Sequence, residues 1–210
     1  MSPLKLLARL LSLRALPLLV GYVAFAPARA VIDLDVVRWQ QAKRRSERGH
    51  WALLELLTDQ THEFRNLFYH RLGQAGIPGK VAARLLALVY RPESTLFLWT
   101  EEIGPGLFIQ HGFATIVSAR RIGANCWINQ QVTIGYDSNL DLPVLEDDVV
   151  VSAGAIVVGG ITVGRGAHIG AGAVVTKDVP AGMVAVGVPA KNREPGANAR
   201  AHGPGRPAQG

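Results

Sequence analysis

The sequence contains a single cysteine, Cys126, among its 210 residues, so no disulfide can form within the chain. Aromatic residues make up only 7% of it, and the cations do not cluster with aromatics as they do on nucleic-acid-binding surfaces. The histidine, cysteine and acidic residues do not show the spacing of a metal site. We therefore expect no disulfide scaffold, no nucleic-acid partner and no metal in the chemistry.

Long apolar runs are also missing. The apolar stretch at residues 15–26 has twelve residues, whereas a bilayer-spanning helix needs about 20. Lys5, Arg9 and Arg14 precede this stretch, and Ala28-Arg-Ala30 after it is similar to a signal-peptidase site. For residues 1–30, three interpretations stay open: a cleaved export signal, a helix on a membrane surface, or a helix that packs against the rest of the protein.

The net charge of +6 is unevenly placed. Residues 1–102 hold fourteen Lys and Arg against nine Asp and Glu, residues 103–180 hold four against six, and residues 181–210 hold four against one. The basic excess therefore lies at the two ends of the chain. A membrane surface or an acidic partner remains compatible with this distribution.

What the sequence has in abundance is a six-residue repeat between residues 103 and 180. One aliphatic residue recurs per hexad, a glycine often follows it, and a second small or apolar residue comes four places after it. The aliphatic positions are Ile103, Ile109, Ile122, Ile128, Ile134, Leu145, Val151, Val157, Val163, Ile169 and Val175. Short repeats of this kind are typical of β-helices. Three hexads, or about eighteen residues, predict one coil of a parallel β-helix with three faces.

Three segments resemble the hexapeptide-repeat acyltransferases, and within them the serine O-acetyltransferase-like branch. They are residues 103–111 (IGPGLFIQH), 122–135 (IGANCWINQQVTIG) and 174–191, which contains TKDVP and GVPAK. The resemblance covers roughly residues 60–192. It implies a left-handed parallel β-helix, a homotrimer, acetyl-CoA as the donor substrate and a small hydroxyl compound as the acceptor.

The chain divides into segments of different character. We predict an apolar and basic segment at 1–30, an α-helical region at 31–100, the β-helix at 103–180, a cap loop at 181–192 and a disordered tail at 193–210. The overall fold class is mainly β with an N-terminal α-helical region. Ile134 and Leu145 are eleven residues apart instead of six, so residues 136–143 must bulge from the coil as a loop.

The repeat places four residues in one column. His111, Gln130, Ala153 and Ala171 each stand two places after an aliphatic position. With one residue inserted before Ile116 and five for the loop, eighteen residues per coil stack all four in a vertical column on one face. A polar end followed by small residues predicts a slot for a long, thin molecule.

Acetyl transfer to a hydroxyl needs a base, and histidine changes its protonation state near neutral pH. His111 matches the catalytic histidine of the resembled family. Gln130 could stabilise the thioester oxyanion, orient the acceptor or stabilise a corner of the coil. Glu102 is a candidate carboxylate to orient His111. The resemblance assigns acetyl-CoA contacts to Ala153, Ala171, Thr176, Lys177 and Lys191.

Two departures from the family concern the acceptor. Gln110 stands where serine acetyltransferases carry an aspartate, and Asp141 and Leu142 stand where they carry an Arg-His pair. We predict a cytoplasmic O-acetyltransferase, serine O-acetyltransferase-like, with membrane association of the N-terminus left open. The alternatives are transfer to a sugar or polysaccharide-precursor hydroxyl, and a non-catalytic β-helix that serves as a binding module.

Overall fold

The computed structural model describes residues 3–196 and divides into two compact units. The helical unit is Met1–Ser94 and the solenoid unit is Thr95–Gly210. Most of the predicted tail, residues 197–210, lies outside the described residues.

Among the residues that the structure describes, six α-helices form the helical unit. They are α1 Pro3–Ser12, α2 Leu16–Ala24, α3 Ala26–Ala42, α4 Gly49–Leu57, α5 Glu63–Gly73 and α6 Gly76–Val89, with a 3-10 turn at Leu13–Ala15. Prolines in the first turn start α2 and α3, because a missing N–H costs nothing there. None of the described helices is long and apolar enough to cross a membrane.

A buried core holds these helices together. The rings of Trp39 on α3 and Phe64 on α5 meet edge to face with centroids 5.1 Å apart. Beside them, Arg71 on α5 donates through Nε to Asp35 on α3 at 2.8 Å, and both side chains are almost fully buried. The ion pair thus joins the same two helices as the aromatic pair.

Fifteen short strands follow in the described part of the solenoid unit, residues 95–196. They are β1 Leu96–Leu98, β2 Glu102–Ile103, β3 Phe108–Ile109, β4 Thr115–Val117, β5 Arg121–Ile122, β6 Trp127–Ile128, β7 Thr133–Gly135, β8 Val144–Leu145, β9 Val150–Val151, β10 Ile156–Val158, β11 Thr162–Val163, β12 His168–Ile169, β13 Val174–Val175, β14 Val184–Val186 and β15 Lys191–Arg193.

The strands stack into three faces. Face 1 has the order β1-β4-β7-β10-β13, face 2 has β11-β8-β5-β2, and face 3 has β15-β14-β12-β9-β6-β3. All described pairings are parallel except β14 with β15. The predicted parallel β-helix with an N-terminal helical region is therefore confirmed.

The two inward columns fill the interior of the solenoid. Their members Cys126, Ile128, Val151, Ala167 and Ile169 are completely buried. A glycine follows many of the aliphatic residues because neighbouring coils approach closely. A Cβ on Gly123 would lie 2.5 Å from the Asp147 nitrogen, a distance that side-chain carbons do not tolerate.

The solenoid extends beyond residues 103–180 at both ends. Strand β1 pairs with β4 through Leu96 and Thr115, although this segment lacks the glycine that marks the repeat. The predicted cap loop at 181–192 instead contains β14 and the start of β15. Ala185 takes the inward position next to Ile169. Ala185 is sixteen residues after Ile169 rather than eighteen, so the six-residue spacing does not predict Ala185 as an inward residue.

Candidate active site

The corner between faces 3 and 1 carries the predicted column. Ile109 pairs with Ile128, Ile128 with Val151, and Val151 with Ile169. The residues two places after each of these therefore stand on successive coils. They are His111, Gln130, Ala153 and Ala171, and we call them the corner column.

His111 heads the corner column in an outward bulge. Its backbone is left-handed (φ 54°), as is that of Ala114 (φ 50°). The Phe113 N–H donates to the His111 carbonyl at 2.8 Å, and the Gln131 N–H donates to the Phe113 carbonyl at 3.1 Å. His111 itself is exposed, so its imidazole is available to a bound molecule.

The bulge differs from the predicted insertion of one residue before Ile116. Ile116 points outward, and Val117 occupies the buried position in register with Ile134. Two extra residues therefore lie between Ile109 and Val117, and one fewer lies between Val117 and Ile122. Strand alternation decides this, because a shift of one residue exchanges the inner and outer faces.

Below the histidine the corner narrows to small residues. Gln130 is half-buried, and the next two coils present Ala153-Gly154 and Ala171-Gly172. Both glycines have positive φ, 70° and 66°, which glycine adopts without strain. No side chain longer than a methyl group projects from these two coils at the corner, which leaves room for an elongated ligand.

The column continues one coil further than predicted. Gly187 stands two residues after Ala185, and its carbonyl accepts from the Val174 N–H at 3.0 Å. The Ala190 N–H then donates to the Val174 carbonyl at 2.8 Å. The segment 187–190 therefore closes the end of the corner opposite His111. Because the spacing before Ala185 is shorter than eighteen residues, the six-residue repeat does not predict Gly187 in the column.

The structure does not bring Glu102 to His111. Glu102 lies on face 2, its side chain is 71% exposed, and its carboxylate is 4.0 Å from the Arg121 guanidinium. It stands near the corner between faces 1 and 2, whereas His111 stands between faces 3 and 1. Within one chain, Glu102 is therefore not placed to orient the imidazole.

The two candidate lysines lie at the last coils. Thr176 and Lys177 follow β13 and are exposed at the corner between faces 1 and 2, not in the corner column. Lys191 begins β15 opposite Val186. The Asn192 amide donates to the Asp178 carbonyl at 3.0 Å, which joins β15 to the turn that follows Lys177. Both ammonium groups thus belong to the carboxy-terminal end of the solenoid.

The loop at residues 136–143 folds back over the next coil. Asp137 holds its own turn by accepting from the Asn139 N–H at 2.9 Å. A Cβ on Gly159 would lie 3.1 Å from the Asp137 carboxylate, and one on Gly160 would lie 3.0 Å from the Asp141 Cβ. Gly159 and Gly160 therefore leave the space that the side chains of Asp137 and Asp141 occupy.

Face 3 carries a hydrogen bond between a serine and a histidine that the six-residue spacing did not predict. The Ser152 hydroxyl and the His168 Nε2 are 2.9 Å apart. Ser152 directly precedes Ala153 of the corner column, and the register of β9 with β12 could have indicated the contact. The bond ties two neighbouring coils together beside the slot.

Cys126 is confirmed as a core thiol. It is fully buried, and burial raises its pKa to about 12, so the reactive thiolate is suppressed near neutral pH. Among the described residues, no group of three or more His, Cys, Asp or Glu side chains is arranged to hold a metal ion.

Residues 143–177 match the family described as "Bacterial transferase hexapeptide (six repeats)". A serine acetyltransferase of Bacillus licheniformis is 44% identical over 94 residues, which are 43% of this chain and 44% of that protein. One of Bacillus pumilus is 36% identical over 134 residues, 60% of this chain and 61% of that protein. The chain thus spans about half the length of these relatives.

A crystal structure of serine acetyltransferase from Brucella abortus superposes with a TM-score of 0.62 at 24% identity, over 83% of this chain and 72% of that one. This likeness concerns the fold. The six-residue repeat and the three stacked faces define a hexapeptide-repeat β-helix, and the family match covers residues 143–177 of it. Within that class, the two sequence relatives are serine acetyltransferases, to which this chain is similar over 94 and 134 residues.

Proposed function

We propose that this protein is an acetyl-CoA-dependent O-acetyltransferase, serine O-acetyltransferase-like, in which His111 is the general base. The observation that supports the proposal is the corner column itself. An exposed imidazole stands at one end of a strip of small residues. This arrangement suits a hydroxyl acceptor beside His111 and a thin acyl donor along Ala153 and Ala171.

The proposed reaction is a direct transfer. A ring nitrogen of His111 takes the proton of the acceptor hydroxyl. At the same time, the hydroxyl oxygen attacks the thioester carbonyl carbon of acetyl-CoA. The tetrahedral intermediate collapses with cleavage of the carbon–sulfur bond, and the departing thiolate takes the proton back from the imidazolium. No acyl-enzyme forms, because the alcohol itself is the nucleophile.

The developing oxyanion needs a hydrogen-bond donor in this scheme. The Gln130 side chain stands one coil below His111, and a backbone N–H of the bulge is the alternative. At the far end, Lys177 and Lys191 supply cations of the kind that bind phosphate groups. We assign the donor site to Ala153 and Ala171 in the corner column, with Lys191 at its far end and with Thr176 and Lys177 reaching the phosphates from the corner between faces 1 and 2.

The acceptor is a small hydroxyl compound, and we propose L-serine first. A sugar or polysaccharide-precursor hydroxyl is the second candidate, because Gln110, Asp141 and Leu142 replace the residues that serine acetyltransferases carry at these positions. A carboxylate at Asp141 would repel the carboxylate of an amino acid. Since acetyl-CoA is a cytoplasmic metabolite, we also place the reaction in the cytoplasm.

Two measurements test the donor and acceptor assignments. Acetyl-CoA should raise the thermal unfolding temperature, because it binds only the folded protein, and thiol release should accelerate with L-serine or one of a panel of sugars. Ala171→Leu should weaken donor binding by about tenfold or more, since each added methylene enters the slot. Ala181→Leu, on an exposed turn, is the matched control. Absence of thermal protection together with absence of turnover would favour the non-catalytic binding module.

We further propose that three copies assemble around face 1. Its outward positions are unusually apolar: Phe97, Ile156, Trp99 and the neighbouring Phe113 are each between 37% and 61% exposed. Phe97 and Trp99 contact each other with ring centroids 5.4 Å apart. The edge of this face adjoins the corner column, so a neighbouring copy would supply the second wall of the slot.

Ile156→Glu should break this assembly, because it buries an unpaired carboxylate in an apolar interface. We expect light scattering to show the trimer mass for the wild type and a monomer for the variant, with loss of activity. Leu140→Glu places the same charge on an exposed loop and should leave the mass unchanged. A fully active monomeric wild type would contradict the proposal.

A further inference from the structure

Helix α6 presents an apolar stripe to solvent. Ile77, Val81, Leu85 and Leu88 follow one another at helical spacing and are between 47% and 78% exposed. The opposite side of α6 is packed so closely that a Cβ on Gly79 would lie 2.0 Å from the Leu72 carbonyl oxygen. Helix α6 therefore has a fixed orientation, and its apolar stripe is the side left uncovered within the helical unit.

Helix α2 lies beside α6 and extends the apolar surface. A Cβ on Gly21 of α2 would lie 3.1 Å from Leu86 of α6. The Tyr90 hydroxyl, just after α6, donates to the Arg14 carbonyl at 3.1 Å. On α2, exposed apolar side chains also recur at helical spacing: Leu16, Val20 and Val23. We call the exposed stripes of these two helices the α2/α6 surface.

The charge on these elements has one sign. Lys80 and Arg84 are exposed on α6 beside the apolar stripe, and Arg14 is exposed just before α2. Helices α1, α2 and α6 and the 3-10 turn contain no Asp or Glu, whereas all seven acidic residues of the helical unit lie on α3 to α5 or in connections. Apolar stripes on helices whose only charged residues are cations are typical of helices that lie in the interface of an anionic bilayer.

We propose that the α2/α6 surface docks on an anionic lipid bilayer, with the helices lying in the headgroup region. The lengths of the described helices do not allow them to span the membrane. A second copy fits the charge less well, because a symmetric contact would bring Lys80 and Arg84 of both copies together. Acidic lipid headgroups neutralise those cations, and the acyl boundary covers the leucines.

Flotation of the full-length protein with vesicles tests this docking. We expect binding to phosphatidylcholine vesicles that contain phosphatidylglycerol, weak binding to pure phosphatidylcholine, and release at high salt. The double variant Leu85→Gln with Leu88→Gln keeps good helix formers and should lower binding by about tenfold or more. Lys80→Gln with Arg84→Gln should lower binding by about tenfold to anionic vesicles alone.

Leu140→Gln and Arg120→Gln, both exposed in the solenoid unit, are matched controls and should bind vesicles like the wild type. Circular dichroism checks that each variant is folded. Absence of wild-type binding, or equal binding of wild type and both double variants, would overturn the proposal. So would a change in the lipid-free mass of the leucine variant, which would make a second copy the occupant.

Discussion

Replacing His111 by alanine should lower the rate of acetyl transfer by about 10²- to 10⁴-fold, the usual contribution of a positioned general base. His111 is the exposed imidazole at the head of the corner column. Without it, the acceptor hydroxyl keeps its proton and remains a poor nucleophile. The rate is measured as thiol release at saturating acetyl-CoA with the best acceptor of the panel.

His168→Ala is the matched control, because His168 lies on the outer side of face 3 and is bonded to Ser152. It should retain most of the activity. Thermal protection by acetyl-CoA should persist in His111→Ala, since the alanine strip that receives the donor is unchanged. A His111→Ala rate within tenfold of the wild type would remove the histidine from the mechanism.

The largest loss of stability is expected from Asp35→Ala. The Asp35 carboxylate accepts from Arg71 Nε at 2.8 Å and Nη2 at 3.3 Å, and the two side chains are 1% and 5% exposed. Removing the carboxylate leaves a guanidinium buried without its counter-charge. Breaking such a pair costs about 3–5 kcal/mol. Urea unfolding followed by circular dichroism at 222 nm measures this, because the helices dominate that signal.

Asp33→Ala on the same helix is the control. Asp33 is exposed and accepts one hydrogen bond from the Tyr22 hydroxyl at 2.8 Å, so its loss should cost about 1 kcal/mol. Equal losses for the two variants would show that the buried pair does not hold α3 to α5. A loss of activity in Asp35→Ala without a loss of helix would indicate a different role.

The repeat alone located the corner column. A solenoid converts sequence spacing into spatial register, so counting residues from Ile109 to Ile128, Val151 and Ile169 predicts which side chains stack. The predicted register was wrong where the spacing between inward residues departs from six. Val117 rather than Ile116 faces inward, and Gly187 extends the column, because strand alternation and pairing decide the register at those points.

For Glu102, spacing in the sequence did not predict the position in space. Its proximity in sequence to the first coils suggested an orienting carboxylate. The nine positions from Glu102 to His111, however, lead from the corner between faces 1 and 2, across faces 2 and 3, to the corner between faces 3 and 1. The same geometry separates Thr176 and Lys177 from the alanines of the corner column. Contacts between corners depend on the path of the chain around the coil, which residue type and spacing do not encode.

By itself, the sequence determined that residues 103–180 form a parallel β-helix and that His111, Gln130, Ala153 and Ala171 share one column, because a repeat acts locally and each coil templates the next. Only the tertiary structure decided that β1, β14 and β15 complete the solenoid, that Asp35 and Arg71 pair inside the helical unit, and that α2 and α6 leave a cationic, apolar surface uncovered. Those features arise from contacts between residues distant in the chain, for which no periodic pattern exists.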